Sequence, residues 1–167
     1  MKLEFEESRA NVTLSGVPII FMSKSTFGVI HRELITSLGR GAESVLYHAG
    51  YEAGKRGFNL MKEWWDFKTK DEIIDAYKQQ FPHFGWLNLE KLEIDDRKKE
   101  IVVVVKNSFE GRKYNGDSDK PMCHFIRGYL AGMCEAAFGT EALRCDEVRC
   151  EARGDDACEF IMKPMFW

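Results

Sequence analysis

The sequence has no excess of positive charge: 24 Lys and Arg stand against 27 Asp and Glu, a formal net charge of −3. This gives no electrostatic footprint for a nucleic-acid binder or a protein held on an anionic membrane. Long apolar runs are also missing. No window reaches the roughly 18 uninterrupted apolar residues of a membrane span, and the charged first twelve residues lack the apolar stretch of a secretory signal. There is no internal repeat, low-complexity tract or linker, so the expectation is a single domain over residues 1–167. Catalytic signatures are absent as well: there is no nucleophile–base pair, no phosphate-cradling glycine loop and no nucleotide fingerprint. Cysteine is missing from the first 122 residues. All five, Cys123, Cys134, Cys145, Cys150 and Cys158, fall in the last 45.

What is present is an ordinary balance for a folded chain. Apolar residues make up 44% and charged residues 31% of 167 positions, enough to bury a substantial core. The expected location is the cytoplasm. In that reducing compartment, clustered cysteines more often bind metal or do chemistry than form disulfides.

Short strands are expected at residues 3–5, 12–14 and 17–22. Residues 26–38 carry Phe27, Ile30, Leu34 and Leu38 at helical spacing and stop at Gly39. Residues 41–65 read as a long helix with Ala42, Leu46, Ala49, Gly50, Ala53, Gly54 and Gly57 along one side. Each glycine costs about 1 kcal/mol of helix stability against alanine, so a close approach by another backbone should compensate. A helix over residues 70–81 ends before Pro82. Residues 86–94 and 100–106 form a hairpin around a turn at 95–99. Residues 110–120 are polar and read as loop. A further helix, 119–138, has Pro121 in its first turn and Gly139 as its stop. Its Gly128 and Gly132 are four apart, so the two glycine-bearing helices could cross closely. Strands at 142–151 and 159–163 close the chain. The fold class is α+β, with helices packed on one face of a mainly antiparallel sheet.

Glu147, Cys150 and Cys158 stand at E-x2-C-x7-C spacing across the last hairpin, with Cys123 in the preceding helix. Zinc takes thiolate and carboxylate ligands and prefers four in a tetrahedron; a filled shell leaves no place for an activated water, so such a site would be structural. Other quartets remain open on spacing alone, with Cys145 replacing Glu147 or with His124 taking part. Residues three apart face opposite sides of a regular strand, so Glu147 and Cys150 can share an ion only across a bulge or a strand end. Cys134 and Cys145 read as core residues.

Four segments carry a family resemblance: Gly50-Tyr51-Glu52-Ala53-Gly54-Lys55, Asn107-Ser108-Phe109-Glu110, Cys123-x4-Gly128-Tyr129-Leu130-Ala131-Gly132, and Glu147-x2-Cys150-x3-Gly154-x3-Cys158-x-Phe160. Together, over residues 40–164, the chain resembles the 4-vinyl reductase domain family. That family is similar to the phenol- and alkylbenzene-sensing domains of bacterial transcription activators and, more distantly, to Golgi-tethering TRAPP subunits. The implied fold is the ligand-binding fold of the NO-signalling and Golgi-transport type. The implied metal is one structural Zn²⁺ per chain, held by Cys123, Glu147, Cys150 and Cys158 near a small aromatic-binding cavity. The resemblance also implies a homodimer, with residues 1–39 as an N-terminal extension at the interface. Val105 falls where a tryptophan is expected, so phenol itself is not implied. Nothing in the chain resembles an ATPase module or a helix-turn-helix, and a free-standing domain would need a partner to act on transcription.

A cavity, if present, is expected between the sheet face and the glycine-bearing helices, lined by Phe84, Trp86, Ile101, Val103, Val105, Phe109, Phe125 and Tyr129. The competing reading is that these side chains are simply core. His31 and His83 read as ordinary polar residues, with no catalytic residue assigned. The apolar tail 165–167 is expected to pack on the domain or on a second subunit. The functional expectation is a stand-alone sensor or carrier of a small hydrophobic or aromatic molecule, with no direct nucleic-acid or membrane partner. An enzyme or accessory protein of tetrapyrrole (vinyl reductase) metabolism and a ligand-free protein scaffold are the alternatives.

Overall fold

In the computed structural model, which describes residues 2–112, 118–140 and 142–165, three short strands come first: β1 (Leu3–Glu6), β2 (Asn11–Leu14) and β3 (Val17–Ile19). They form an antiparallel meander in that order. Ser15 and Gly16 make the β2–β3 turn with φ of 47° and 85°, the two positive values a twisted two-residue hairpin demands. The third strand stops three residues short of expectation. β2 begins only after Ala10 has turned the chain in a left-handed conformation, so residues 20–22 have no ladder partner. Ser23 then accepts the Thr26 backbone N–H at 3.0 Å, and this cap starts α1 (Lys24–Leu38) two residues earlier than periodicity suggests.

The chain divides into two compact units, residues 1–33 and 34–167. In the second, α2 (Arg40–Trp64) follows Gly39, whose φ is +52°. A capping box of Thr69 and Glu72 starts α3 (Lys70–His83). This helix runs through Pro82 instead of ending before it. Proline removes one helical hydrogen bond, but in the last turn the loss is small; Phe81 is anchored in the core, and Phe84 N–H still reaches the Gln80 carbonyl.

The hairpin is β4 (Asn88–Asp95) and β5 (Glu100–Lys106), so Trp86 and Leu87 precede the strand. A bulge between Leu89 and Lys91 rephases β4, and this puts Leu89 and Leu92, three apart, on the same buried face. Next comes α4 (His124–Phe138), ended by Gly139 at φ +63°, then β6 (Leu143–Arg149) and β7 (Cys158–Pro164). The sheet order is β4-β5-β7-β6, antiparallel throughout. Helices lie against this sheet as expected, α4 on β6 and α3 on β4, with α2 packed on α4. The core sits between them: Leu130 and Met133 of α4 meet a sheet face that includes Val103, Val105, Phe160 and Met162, all fully buried.

The close helix crossing read from the glycines is present. A Cβ placed on Gly50 would fall 2.0 Å from the Phe125 carbonyl oxygen, and one on Gly128 would fall 2.0 Å from that of Tyr47. Gly54 and Gly132 meet Tyr129 and Tyr51 in the same way. The two backbones touch. No helix among the described residues is long and apolar enough to cross a membrane.

Candidate metal centre and the adjoining aromatic cluster

Four chain segments converge behind the N-terminus of α4. Cys123 is its N-cap residue, not a first-turn residue, because residues 119–123 are irregular and the helix begins at His124. Pro121 accordingly lies ahead of the helix. Glu147 comes from β6, Cys150 follows that strand, and Cys158 opens β7. A register shift between Glu147 and Arg149 answers the question of facing: a bulge at Val148 and the strand end at Arg149 turn Cys150 back to Glu147's side. A short 3₁₀ turn at Glu151–Arg153, stopped by Gly154 at φ +88°, then brings Cys158 alongside.

The ligand atoms of Cys123, Glu147, Cys150 and Cys158 all lie within 4.8 Å of one another, and all four residues are buried. Cys123 Sγ is 3.8 Å from Cys150 Sγ and 3.7 Å from Cys158 Sγ. Thiolates about 2.3 Å from a tetrahedral ion sit about 3.8 Å from each other. The spacing fits. The surrounding atoms fit as well. Glu147 Oε2 accepts the Cys123 backbone N–H at 3.0 Å, whereas buried Oε1 has no hydrogen-bond partner among the described residues. A Cβ on Gly111 would lie 2.9, 3.3 and 3.7 Å from the sulfurs of Cys123, Cys158 and Cys150, so only glycine leaves that side of the cluster clear.

The protonation pattern shows the same demand for a cation. Burial first, then the contacts with the other two sulfurs, pushes the Cys123 thiol well up. Burial and the neighbouring Cys150 sulfur raise Glu147 to about 9. Cys123 draws the Cys158 thiol down, but Cys150 and burial outweigh it and leave it raised. Cys150, receiving hydrogen bonds from Cys123 and Cys158, falls far below an ordinary thiol. Four acids this close cannot all ionise unless a cation joins them. The donor set therefore suits a metal ion that accepts sulfur and oxygen together.

The segment 107–111 forms the wall of this site. The Glu151 carboxylate accepts the backbone N–H groups of Asn107 and Ser108, each at 2.9 Å. Ser108 Oγ lies 3.4 Å from Cys123 Sγ and accepts the Gly111 N–H. Glu110, which the sequence placed in a polar loop, is 2% exposed, and its carboxylate accepts the N–H groups of Phe125 and Ile126 at 3.0 and 2.9 Å. It thereby satisfies orphan donors at the start of α4 and matches the positive end of that helix. The functions of Ser108, Glu110, Gly111 and Glu151 escaped sequence reasoning. The Asn107-Ser108-Phe109-Glu110 motif was the available signal, without a role attached.

The same segment reaches the aromatic residues. Phe109 N–H donates to the Trp86 carbonyl at 2.8 Å, and its ring lies 5.6 Å from that of Trp86. Trp86 also meets Tyr129 at 4.8 Å and Phe125 at 5.9 Å, both edge to face, and Phe81, absent from the expected lining, closes on Trp86 and Tyr129. Ile101, Val103 and Val105 alternate on the buried face of β5. Phe84 stands apart at 43% exposure. The space between the glycine-bearing helices is closed by backbone contact. Cys134 and Cys145 are buried outside the quartet, as is His124. His83 Nδ1 bonds the Gln79 carbonyl within α3, and His31 is buried in α1. Of the tail, only Met165 falls within the described residues, and it is exposed.

Known proteins share this arrangement of elements. Residues 1–95 match the family described as activator of aromatic catabolism, and residues 101–164 match the 4-vinyl reductase domain. The chain is similar to the phenol regulator MopR of Acinetobacter guillouiae, 24% identical over 98% of this chain and 30% of MopR. It is also similar to an uncharacterized protein of Methanocaldococcus jannaschii, 32% identical over 71% of this chain and 55% of that protein. The chain thus spans well under two thirds of the length of either relative. Among solved structures, the phenol-responsive sensory domain of the transcription activator PoxR, crystallised with phenol, superposes with a TM-score of 0.79 at 20% identity, covering 97% of this chain and 84% of that one. A vinyl-4-reductase family protein from Methanocaldococcus jannaschii gives 0.60 at 24% identity over 89% and 85%. Trafficking protein particle complex subunit 3 from Naegleria fowleri, covalently bound to palmitic acid, gives 0.58 at 14% identity over 86% and 96%. At these identities the superpositions establish the fold.

Proposed function

The chain belongs to the family of activators of aromatic catabolism, and on that premise we propose that it is a zinc-stabilised sensory domain for a small aromatic or hydrophobic molecule. The observation that carries the reading is the single segment, residues 107–111, which touches the four-ligand cluster through Ser108 and the aromatic cluster through Phe109. Zinc, when bound, supplies a cross-link between the N-terminus of α4 and the β6–β7 hairpin, with Cys123, Glu147, Cys150 and Cys158 filling its shell. Backbone N–H groups of Glu151 and Ala152 point at the sulfurs of Cys158 and Cys150, 3.3 and 3.4 Å away, and would offset the surplus negative charge of three thiolates and a carboxylate.

Trp86, Phe109, Phe125 and Tyr129 are the side chains assigned to the ligand, with Ile101, Val103 and Val105 as the apolar floor. The ligand class comes from the relatives, whose printed names concern phenol. Val105, small and fully buried, favours an alkylated ring over phenol itself. Calorimetric titration of the full chain with phenol, p-cresol and toluene tests this. Binding at micromolar to millimolar concentration, lost in Tyr129→Ala with the metal retained, is expected. No heat with any of the three, together with no small molecule in the purified protein, would refute it.

The second part of the reading is a homodimer formed through the N-terminal elements. Within residues 1–33, β1–β3 bury no residue, and Phe5, Ile20 and Phe21 are 63%, 80% and 69% exposed. A three-stranded sheet without a covered apolar face is marginal alone. Sedimentation should show a dimer that Phe21→Glu converts to monomer; a wild-type monomer would contradict it.

A further inference from the structure

Remote from both clusters, a groove of about 600 Å³ runs between α2, α4 and β6. One wall is a single face of α2, from Arg40 through Tyr47 to Tyr51, and the other is Arg127 of α4 with Leu143 and its strand neighbours. None of the residues assigned above to metal or aromatic ligand lines it.

The walls are set for one chemistry. The Arg127 guanidinium lies over the Tyr47 ring, 5.0 Å from its centroid. Its Nε is sealed from solvent and has no hydrogen-bond partner among the described residues. Leaving such a donor buried and unmatched is costly, and an anion in the groove would satisfy it. Arg144 is already committed, donating from Nε and a terminal nitrogen to Asp146 at 3.0 and 2.6 Å. Of the remaining formal charges on the lining, Arg40 and Arg127 face a single carboxylate, Glu43, in a chain whose net charge is −3. Both tyrosine rings are pinned. Tyr47 donates its hydroxyl to the Leu143 carbonyl at 3.2 Å, Tyr51 bonds Glu135, and the two rings lie 6.4 Å apart at 20°. They present flat apolar surface beside a cation, with Leu143 and Met165 adding aliphatic contact.

The geometry points to a second binding site here, for a planar aromatic carboxylate whose anionic group pairs with Arg127 and Arg40 and whose ring lies along Tyr47 and Tyr51. Such a compound differs from the neutral ring assigned to the aromatic cluster, so the chain would register an aromatic acid separately from its neutral counterpart. The assignment stands independently of that first site.

The test is calorimetry of the full chain with benzoate, using benzyl alcohol as the neutral comparator of similar shape. Benzoate is expected to bind at least about tenfold more tightly than the alcohol, and Arg127→Gln should erase most of that difference. Because Arg127 also packs on Tyr47, Arg40→Gln, exposed at the start of α2, serves as a second variant and should weaken benzoate severalfold without changing the melting temperature. Titration of p-cresol should be unaffected by either change. Equal affinity for benzoate and benzyl alcohol, or benzoate affinity unchanged in both arginine variants, would overturn the site whatever p-cresol does.

Discussion

Cys150 and Cys134 are both free, fully buried thiols on this chain, and they should behave oppositely. Cys150 has two sulfurs and a carboxylate around it, whereas Cys134 has core side chains and lies outside the quartet. Replacing Cys150 or Cys158 by serine should therefore abolish one zinc per chain in elemental analysis, and Cys134→Ser should leave it unchanged. A full metal complement in Cys150→Ser would refute the assignment. Glu110 is the other residue with an outsized role. Its carboxylate takes two helix N–H groups in a buried place, and charge-assisted bonds of this kind contribute about 1.5–3 kcal/mol each. Glu110→Ala should accordingly cost about 3 kcal/mol in chemical denaturation. A loss below about 0.5 kcal/mol would mean that water replaces the carboxylate and that the cap is dispensable.

At the scale of elements, the crossing of α2 and α4 sets what the molecule tolerates. Gly54→Ala would place a Cβ 2.1 Å from a backbone oxygen, which no rotamer can relieve, so the helices must separate. Overpacking of well-fitted contacts costs about 1–3 kcal/mol and sometimes more, and this rigid case should reach at least 3 kcal/mol. Gly41→Ala, on the same helix, meets only Leu38 at an ordinary 3.7 Å and should be neutral or stabilising by up to about 1 kcal/mol. Thermal or urea unfolding of the pair checks the contrast; equal effects would contradict the crossing. This crossing was legible in the sequence because small residues four apart on two helices have few other uses. The start of α4 was not. Its polar approach and Pro121 look like a first turn, and only the burial of Glu110 and Cys123 shows where the helix is held. The quartet was half legible: the three cysteines stood out by spacing, but Glu147 and Cys145 share a strand face. Adjacent same-face positions lie about 7 Å apart, so only one can reach the sulfurs, and the bulge at Val148 decides which. Phe84 was misplaced for a simpler reason: apolarity beside Trp86 says nothing about which way the chain turns after α3.

For the whole molecule, the metal cluster, the 107–111 segment and the aromatic cluster form one continuous structure at the end of α4. On the proposed reading, zinc holds the frame against which the aromatic side chains are set, and its removal should lower the melting temperature and weaken ring binding together. Structural zinc in finger peptides contributes about 10–16 kcal/mol of apparent binding energy, so a chelated chain should lose much of its stability. The central claim is that the shell is closed by this chain's own side chains. X-ray absorption at the zinc edge of the purified protein measures it most directly. Three sulfurs near about 2.3 Å and one oxygen near about 2.0–2.2 Å, unchanged on adding an aromatic ligand, is the predicted result. A shell with two or fewer sulfurs, or an oxygen exchanged on adding ligand, would contradict it.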